Sequence, residues 1–315
     1  MKPPDLRGLW AFALTPFDQR DQIDEAAYSA GIASLVDSTD VVCAAGTLGQ
    51  GDRMTDAERL RCVELTVAGS AGRRPVMGTI VAGVGETMGA DAVGATAMLA
   101  AGADAVLLLP ASGDAHDIRT SLRRIGQSTG GALPVVVYQR GALRLTPDEL
   151  LRMCEHDHLV GLKDAHGDLR AFRRLRQAAG SRLTWIGASE DLAPAYWLYG
   201  ADAWSPATLA YCDWYAPAWS AALRAGDVAE ARRLMALFAW PITDLRMSRP
   251  DIDVTVVREL AARYGRQVGA LRSPAQPLTA DETARMHRLA DILDAEGVRL
   301  GHSGDLGSPD PAVRA

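Results

Sequence analysis

The chain has 315 residues, of which 48% are hydrophobic and 23% are charged, and its formal net charge is −6. These values predict one large globular domain with a short extension, or two ordinary domains. The sequence contains no basic run that would follow a phosphate backbone, so we expect no nucleic-acid partner.

Targeting and redox signals point to the cytoplasm. The N-terminus, MKPPDLRGLW, lacks the apolar segment of a secretory signal. No apolar stretch approaches the ~18 residues that a membrane helix needs, so we expect no membrane association. The four cysteines are widely spaced and form no CxxC pair, which predicts reduced thiols.

Short apolar runs alternate eight times with longer amphipathic segments. Thr55 and Glu58 form the capping-box pattern at the start of the second helix. We predict strands at 9–16, 41–46, 75–83, 103–110, 133–139, 158–164, 182–188 and 201–206. We predict helices at 23–37, 54–72, 86–102, 114–131, 146–156, 167–180 and 190–200, and an eighth from Tyr211 onward.

The strand cores are nearly continuous apolar runs, as in parallel sheets that are covered on both faces. Eight such cycles predict an α/β fold, a (β/α)8 TIM barrel, over residues 1–224. A doubly wound sheet shares the alternation but usually needs fewer strands. Residues 225–298 are predicted to form a C-terminal helical extension of the same domain. The Gly-, Pro- and Ser-rich residues 299–315 are expected to be a disordered tail.

Lysine is unusually rare in this chain. Of 33 basic residues only Lys2 and Lys163 are lysines, and the rest are arginines. Arginine stays protonated and cannot act as an amine nucleophile, so a single internal lysine is a candidate for chemistry. Survival by chance is the alternative explanation.

The active site of a (β/α)8 barrel lies at the carboxyl ends of its strands. Lys163 ends the sixth predicted strand, where desolvation would lower its pKa and release the neutral amine that attacks a carbonyl. Tyr138 ends the neighbouring fifth strand and could move protons for that reaction. The other polar side chains that follow strands are Thr47, Ser189, Glu190 and Ser205.

Six motifs in register resemble the dihydrodipicolinate synthase and N-acetylneuraminate lyase family of class I aldolases. They are LTPFDQRDQID (14–24), GTLGQGDRMTDAER (46–59), VVVYQR (135–140), GLKDAHGD (161–168), GASED (187–191) and YGADAWSPAT (199–208). The resemblance implies that Lys163 forms an imine, that Tyr138 and Thr47 relay protons, and that the backbone from Gly46 to Gly49 binds the substrate carboxylate. It also implies a homo-oligomer, either a dimer or a tetramer.

Several positions depart from the family pattern. The family carries the sequence GTTGE where this chain has GTLGQ (46–50), so Leu48 replaces the second threonine. Ser112 stands where family members often have a tyrosine that reaches the neighbouring subunit. The arginine for a distal carboxylate is not in its usual place, although Arg140 or Arg144 could substitute. Trp204 is expected to border the pocket, where the eighth strand usually carries a smaller residue.

The VYQR-to-GLKDAHGD stretch and the segment from Pro241 to Arg246 resemble the 5-dehydro-4-deoxyglucarate dehydratase branch more closely. We therefore expect a lyase that acts on pyruvate or a related 2-oxo acid, by aldol cleavage or condensation or by dehydration. A dehydratase of the 5-dehydro-4-deoxyglucarate type is one alternative, and a non-catalytic family member that binds a 2-oxo acid or a partner protein is another.

The expected substrate-binding residues are Gly46, Leu48, Gly49, Arg140, Ser189, Trp204 and Ser205. No cofactor is expected, since imine chemistry needs none. GVGETMG (83–89) lacks the acidic partner of a dinucleotide-binding motif. The histidines have no ligands at metal-binding spacing, so no metal is expected either.

Overall fold

The computed structural model describes residues 4–302 and contains a closed barrel of eight parallel strands in sequential order. The barrel closes where Gly8 pairs with Ala203 and Leu9 with Trp204. The strands are β1 Gly8–Phe12, β2 Val41–Cys43, β3 Val76–Val81, β4 Ala105–Leu109, β5 Val135–Gln139, β6 Leu159–Asp164, β7 Thr184–Gly187 and β8 Ala203–Trp204. The predicted (β/α)8 fold is confirmed.

A helix follows each strand and covers the outside of the barrel. These helices are α1 Glu25–Leu35, α2 Asp56–Ser70, α3 Ala90–Ala100, α4 Ala115–Thr129, α5 Pro147–Met153, α6 Leu169–Ala179, α7 Ala193–Leu198 and α8 Tyr215–Arg224. The capping box that the sequence predicts at Thr55 and Glu58 is present at the start of α2. Thr146 and Glu149 form another at the start of α5. Each box satisfies backbone N–H groups that a helix start leaves free.

Side chains of the strands alternate between two apolar layers. In β1, Trp10 and Phe12 belong to the cluster inside the barrel, while Leu9 and Ala11 belong to the larger cluster between strands and helices. The inner layer fills the barrel, so reactive groups can reach solvent only at its open end.

Four further helical segments form the C-terminal extension: α9 Val228–Leu234, α10 Trp240–Arg246, α11 Asp253–Arg263 and α12 Ala280–Arg299. A π-helical turn, Met235–Ala239, joins α9 directly to α10. Pro241 accounts for this wide turn, because it lacks an N–H and its ring crowds the preceding turn. Among the described helices, none has both the length and the apolar character needed to cross a membrane.

The predicted tail begins too early in the chain. Arg299 is the last residue of α12 and forms an ion pair with Glu296. Three residues later, the ring of His302 stacks on Trp214 with their centroids 5.2 Å apart. The rest of the predicted tail, residues 303–315, lies outside the described residues.

Candidate active site

Lys163 lies at the carboxyl end of β6 and is only 4% exposed. Its Nζ is 4.1 Å from the centroid of the Phe12 ring and 4.4 Å from that of Tyr138. Burial is the main reason why the pKa of the Lys163 amine is lowered to about 7; the nearby Cys43 opposes this shift and the positive charge of Arg140 contributes to it. A large fraction of the side chain is therefore the neutral, nucleophilic amine near pH 7.

A β-bulge gives Lys163 its inward direction. Val135 pairs with Leu159, but the next residue, Val136, pairs with Gly161, so one residue of β6 is left over. Leu159 faces the outer helices. Strict alternation from Leu159 would turn Lys163 outward as well, and the extra residue reverses that alternation.

Tyr138 is the direct neighbour of Lys163 across the β5–β6 pairing. Burial raises the pKa of the Tyr138 hydroxyl, and the charge of Arg140 opposes that effect. Within residues 4–302, this hydroxyl has no hydrogen-bond partner. It is therefore available to exchange protons with a group bound at Lys163.

The loop from Gly46 to Gly49 has a constrained backbone. Ala45 and Gln50, on either side of it, adopt left-handed conformations with φ of 52° and 59°. A Cβ on Gly46 would lie 2.1 Å from the Phe12 ring, so glycine is required there. The backbone N–H groups of Thr47 and Leu48 donate to no acceptor in the described residues. Two free donors remain beside the lysine for an anionic ligand.

Arg140 connects this loop to Tyr138. Its Nη1 donates a hydrogen bond of 2.9 Å to the hydroxyl of Thr47, and its guanidinium carbon lies 5.3 Å from the centre of the Tyr138 ring. Thr47 and Tyr138 share no direct hydrogen bond in the described structure. Any relay between these two hydroxyls needs a bound ligand or a rearrangement of Arg140.

The opposite side of the opening carries acidic and hydroxyl groups from β7 and β8. The buried carboxylate of Glu190 accepts hydrogen bonds from the Thr208 hydroxyl at 2.5 Å and from Trp219 Nε1 at 3.2 Å. Burial raises the pKa of Glu190. Ser189 donates a 2.5 Å hydrogen bond to Asp191.

These groups surround one cavity of about 330 Å³. The predicted site residues that line it are Lys163, Tyr138, Thr47, Gly46, Leu48, Arg140, Ser189 and Ser205. Arg144 is not among the lining residues, and its Nη1 donates instead to the backbone oxygen of Gly141. The size suits a small organic acid of several carbons.

Two predicted site residues lie elsewhere. Gly49 is packed beneath the loop, where an added Cβ would be 2.7 Å from the backbone oxygen of Ala13. The prediction that Trp204 borders the pocket is wrong: its side chain is 1% exposed and contacts the rings of Trp197 and Trp219 in the outer layer. Alternation along β8 turns Ala203 inward and Trp204 outward, and the next residue, Ser205, reaches the cavity.

Several lining residues were not predicted as part of the site. Phe12 comes from β1 and packs against the amine of Lys163. Arg246 and Asp253 come from the C-terminal extension and form an ion pair of 2.6 Å. The only sequence signal for Arg246 was its place at the end of the Pro241–Arg246 segment. That segment indicated a branch of the family but did not indicate that Arg246 lines the cavity.

Comparison with known proteins gives a consistent result. A model described as the dihydrodipicolinate synthetase family matches residues 5–293. A protein of Ralstonia nicotianae, described as a probable 5-dehydro-4-deoxyglucarate dehydratase, is 33% identical over 90% of this chain and 94% of its own. A Bradyrhizobium protein of the same description is 32% identical over 92% of this chain and 94% of its own.

Solved structures support the fold. The chain superposes on YagE, an Escherichia coli prophage protein of the dihydrodipicolinic acid synthase family crystallised with pyruvate, with a TM-score of 0.81. The two are 21% identical, and the match covers 92% of this chain and 99% of that one. At this identity the likeness shows the fold alone. The family resemblance carried by the six motifs is confirmed by the family match.

Proposed function

The chain belongs to the dihydrodipicolinate synthetase family of Schiff-base lyases, and from that premise we propose that it is a dehydratase of a six-carbon 2-oxo sugar acid of the 5-dehydro-4-deoxyglucarate type. We assign the imine to Lys163 and the proton transfers to Tyr138. The observation that carries the assignment is the buried amine of Lys163, with its pKa lowered to about 7, paired in register with a tyrosine whose hydroxyl is free.

The first step forms the imine. The neutral Nζ of Lys163 attacks the carbonyl carbon of the 2-oxo acid, and the adduct loses its oxygen as water to give a protonated imine. We assign the protonation of that departing oxygen to Tyr138, whose ring centre is 4.4 Å from Nζ. The rings of Phe12 and Tyr138 lie against Nζ and can stabilise the positive charge of the imine.

The second step eliminates the hydroxyl. The protonated imine withdraws electrons, so the adjacent methylene gives a proton to the Tyr138 oxygen, which lost its own proton in the first step, and an enamine forms. The enamine then expels the hydroxyl on the next carbon, which takes the proton back from Tyr138 and leaves as water, so that a conjugated protonated imine remains. Hydrolysis of that imine restores the Lys163 amine and releases the dehydrated 2-oxo acid, so one water is lost overall.

We assign the carboxylate next to the carbonyl to the loop of Thr47 and Leu48. Their free backbone N–H groups supply two hydrogen bonds to an anion close to Lys163. The Thr47 hydroxyl, already bound by Arg140, holds that arginine beside the same position. Because Leu48 has no hydroxyl, the carboxylate depends on these groups.

The direct test is turnover of 5-dehydro-4-deoxyglucarate by the purified protein, followed by mass spectrometry. A product lighter by one water, or by one water and one CO₂, would support the dehydratase. The test would contradict this function if that substrate were unchanged while pyruvate condensed with an aldehyde, since an aldolase of the same family would then fit better.

A non-catalytic role finds little support in the cavity. A binding protein has no need for a lysine with a lowered pKa inside an apolar layer, because burying its amine lowers stability without gain. Borohydride trapping with pyruvate separates the two cases, since a binding protein without a reactive amine would give no covalent adduct.

We further propose that the enzyme acts in the cytoplasm as a homo-oligomer. All four cysteines, Cys43, Cys62, Cys154 and Cys212, are unpaired, which fits a reducing compartment. Light scattering tests the assembly: a mass of two or four times the chain's 33.5 kDa would support it, and a mass of one chain would contradict it.

A further inference from the structure

We propose that Arg246, on the C-terminal extension, binds the distal carboxylate of a dicarboxylic 2-oxo acid whose carbonyl is held at Lys163. The proposal deepens the proposed function and rests on it for the position of the carbonyl. It assigns to the extension the choice between substrates that end in a second carboxylate and substrates that end in a neutral group.

Arg246 has the geometry of an anion-binding residue. Its side chain is 12% exposed and lines the same cavity as Lys163. Its Nε donates a 2.6 Å hydrogen bond to Asp253, and this is the only hydrogen bond of the side chain within residues 4–302. The two terminal nitrogens are left as donors, and a guanidinium presents such a pair in the plane that a carboxylate matches.

The other charged groups on this side of the cavity favour an anion over a cation. Glu190, Asp191 and Asp253 also line the cavity, but each carboxylate already accepts a hydrogen bond from a protein donor. Both oxygens of Glu190 accept hydrogen bonds, and Asp191 and Asp253 each accept one through Oδ1. The two terminal nitrogens of Arg246, in contrast, donate to no acceptor within residues 4–302. A ligand with a second negative charge would complete this wall.

The fold places Arg246 there by a specific device. The π-helical turn Met235–Ala239 adds a residue to one turn, which rotates the following residues by about 100° around the helix axis. After this turn, Thr243 and Arg246 of α10 and the next residue, Met247, lie on one side of the helix, and all three line the cavity. A regular helix would turn a different face to the opening.

Arg140 is not placed to perform the same task. Its Nη1 is bound to Thr47, and its guanidinium lies over the ring of Tyr138, next to the amine. It therefore belongs to the end of the cavity that holds the carbonyl and the first carboxylate. Arg246, supplied by a separate segment, is left for the other end of the ligand.

The test uses two acids that differ only at the distal end. 2-Oxoadipate has a distal carboxylate four bonds from the carbonyl carbon, as 5-dehydro-4-deoxyglucarate does, and 2-oxohexanoate has a methyl group there. Each acid is incubated with the full chain and borohydride, and the concentration that gives half-maximal Lys163 adduct is measured by intact mass. Neither acid carries a hydroxyl to eliminate, so the readout does not require dehydration.

We expect the wild type to need about 10- to 100-fold less 2-oxoadipate than 2-oxohexanoate, the range for a charge-assisted pair of hydrogen bonds. Arg246→Gln should bring the ratio close to one, and Arg246→Lys should restore part of it. Arg249→Gln is the matched control, because Arg249 pairs with Glu282 on the same segment and does not line the cavity. It should keep the wild-type ratio.

Arg246→Gln leaves Asp253 without its partner and could unfold the chain, so the double variant Arg246→Gln/Asp253→Asn removes both charges. The proposal would be overturned if the wild type needed equal concentrations of the two acids, or if Arg246→Gln or the double variant still preferred 2-oxoadipate as strongly as the wild type does. If the wild type prefers 2-oxoadipate through Arg246 but does not dehydrate 5-dehydro-4-deoxyglucarate, the dicarboxylate site stands and the proposed reaction fails. If the protein dehydrates that substrate but its preference for 2-oxoadipate over 2-oxohexanoate does not depend on Arg246, the proposed reaction stands and the dicarboxylate site fails.

Discussion

The two sides of the cavity are built in different ways. On one side, β5 and β6 present Tyr138 and Lys163 from adjacent, hydrogen-bonded strands of a closed barrel. On the other side, Arg246 and Asp253 come from helices that lie beyond the barrel in the sequence. The first pair is fixed by backbone pairing, and the second by packing of the extension against the barrel mouth.

In the proposed function, this contrast separates the residues that react from the residues that recognise the substrate. Imine chemistry requires a buried amine and an acid–base group at constant spacing, and neighbouring strands supply that spacing. Recognition of the remote end of a substrate does not require such constant spacing. Residues of the helical extension can therefore be substituted without disturbing the position of the amine. Variants on the strand side should therefore abolish or slow chemistry, whereas variants on the other side should change preference or stability.

The largest effect is expected at the nucleophile. Lys163→Arg should abolish the adduct that pyruvate and borohydride form, because a guanidinium stays protonated and does not attack a carbonyl. Intact mass followed by peptide mapping measures the adduct. Lys2→Arg, which removes the only other lysine, is the matched control and should keep it. An adduct that persists in Lys163→Arg would sink the mechanism.

Tyr138→Phe should have the next largest effect. It keeps the ring beside Nζ and removes the hydroxyl, and acid–base assistance is worth about 10²- to 10⁴-fold in rate. We expect turnover to fall by that order while the adduct with pyruvate can still form slowly. Tyr199→Phe, at an exposed position, serves as control. Normal turnover in Tyr138→Phe would show that Tyr138 only packs against its neighbours and takes no part in proton transfer.

Much of this architecture was predictable from sequence, for identifiable reasons. Eight apolar runs separated by amphipathic segments predict the barrel, because buried parallel strands and their covering helices have different periods. Lys163 could be singled out since the chain has so few lysines. Once the strand ends were placed, Thr47 and Ser205 followed as residues of the same rim.

The errors have physical causes as well. Whether Trp204 faces the cavity depends on a one-residue choice of direction along β8, and an apolar run buried on both faces carries no alternation to decide it. Lys163 owes its inward direction to a bulge that no pattern in the apolar run indicates. The position of Arg246 depends on a π-helical turn and on packing between segments distant in sequence.

Leu48 lies on the loop after β2, apart from the β5–β6 pair, and its substitution should change binding rather than chemistry. Leu48→Thr restores a hydroxyl beside the carboxylate, and a hydrogen bond to a charged group is worth about 1.5–3 kcal/mol. We expect about tenfold or more tighter half-saturation by pyruvate in the trapping assay. Leu48→Val, which has nearly the shape of threonine without the hydroxyl, is the control, and equal behaviour of the two variants would contradict the explanation.

The same residue bears on the choice of partner substrate. With pyruvate and aspartate semialdehyde, we expect the wild type to be a poor catalyst. A steady-state kcat/KM above about 10⁴ M⁻¹s⁻¹, as ordinary enzymes reach, would show that Leu48 does not redirect specificity.

Substitution of Trp204 is expected to change the stability of the protein and not its substrate specificity. Its ring is packed between Trp197 and Trp219, so Trp204→Phe leaves a void in the outer layer and should lower the free energy of unfolding by about 1–3 kcal/mol. Denaturant unfolding measures the loss. The ratio of half-saturating concentrations for 2-oxoadipate and 2-oxohexanoate should not change, and a large change would return Trp204 to the cavity wall.

The smallest expected effect is a shift in pH dependence at Arg140, where the charge acts on chemistry without taking part in it. In the proposed reaction the neutral amine of Lys163 is the nucleophile, so the rate of imine formation should rise with pH through about 7, the value to which its pKa is lowered. The positive charge of Arg140 contributes to that lowering, because it disfavours the ammonium form. Arg140→Gln removes the charge, so the pKa of Lys163 should rise and the midpoint of the rate profile should move to higher pH.

Arg140→Lys keeps a positive charge, so its midpoint should lie closer to that of the wild type. If Arg140 had only a structural role, the two variants would not differ according to their charge. Samples taken at timed intervals and reduced in one common borohydride buffer give the profile free of the pH dependence of the reductant. A midpoint that stays in place or moves down in Arg140→Gln would show that burial alone sets the pKa of the amine.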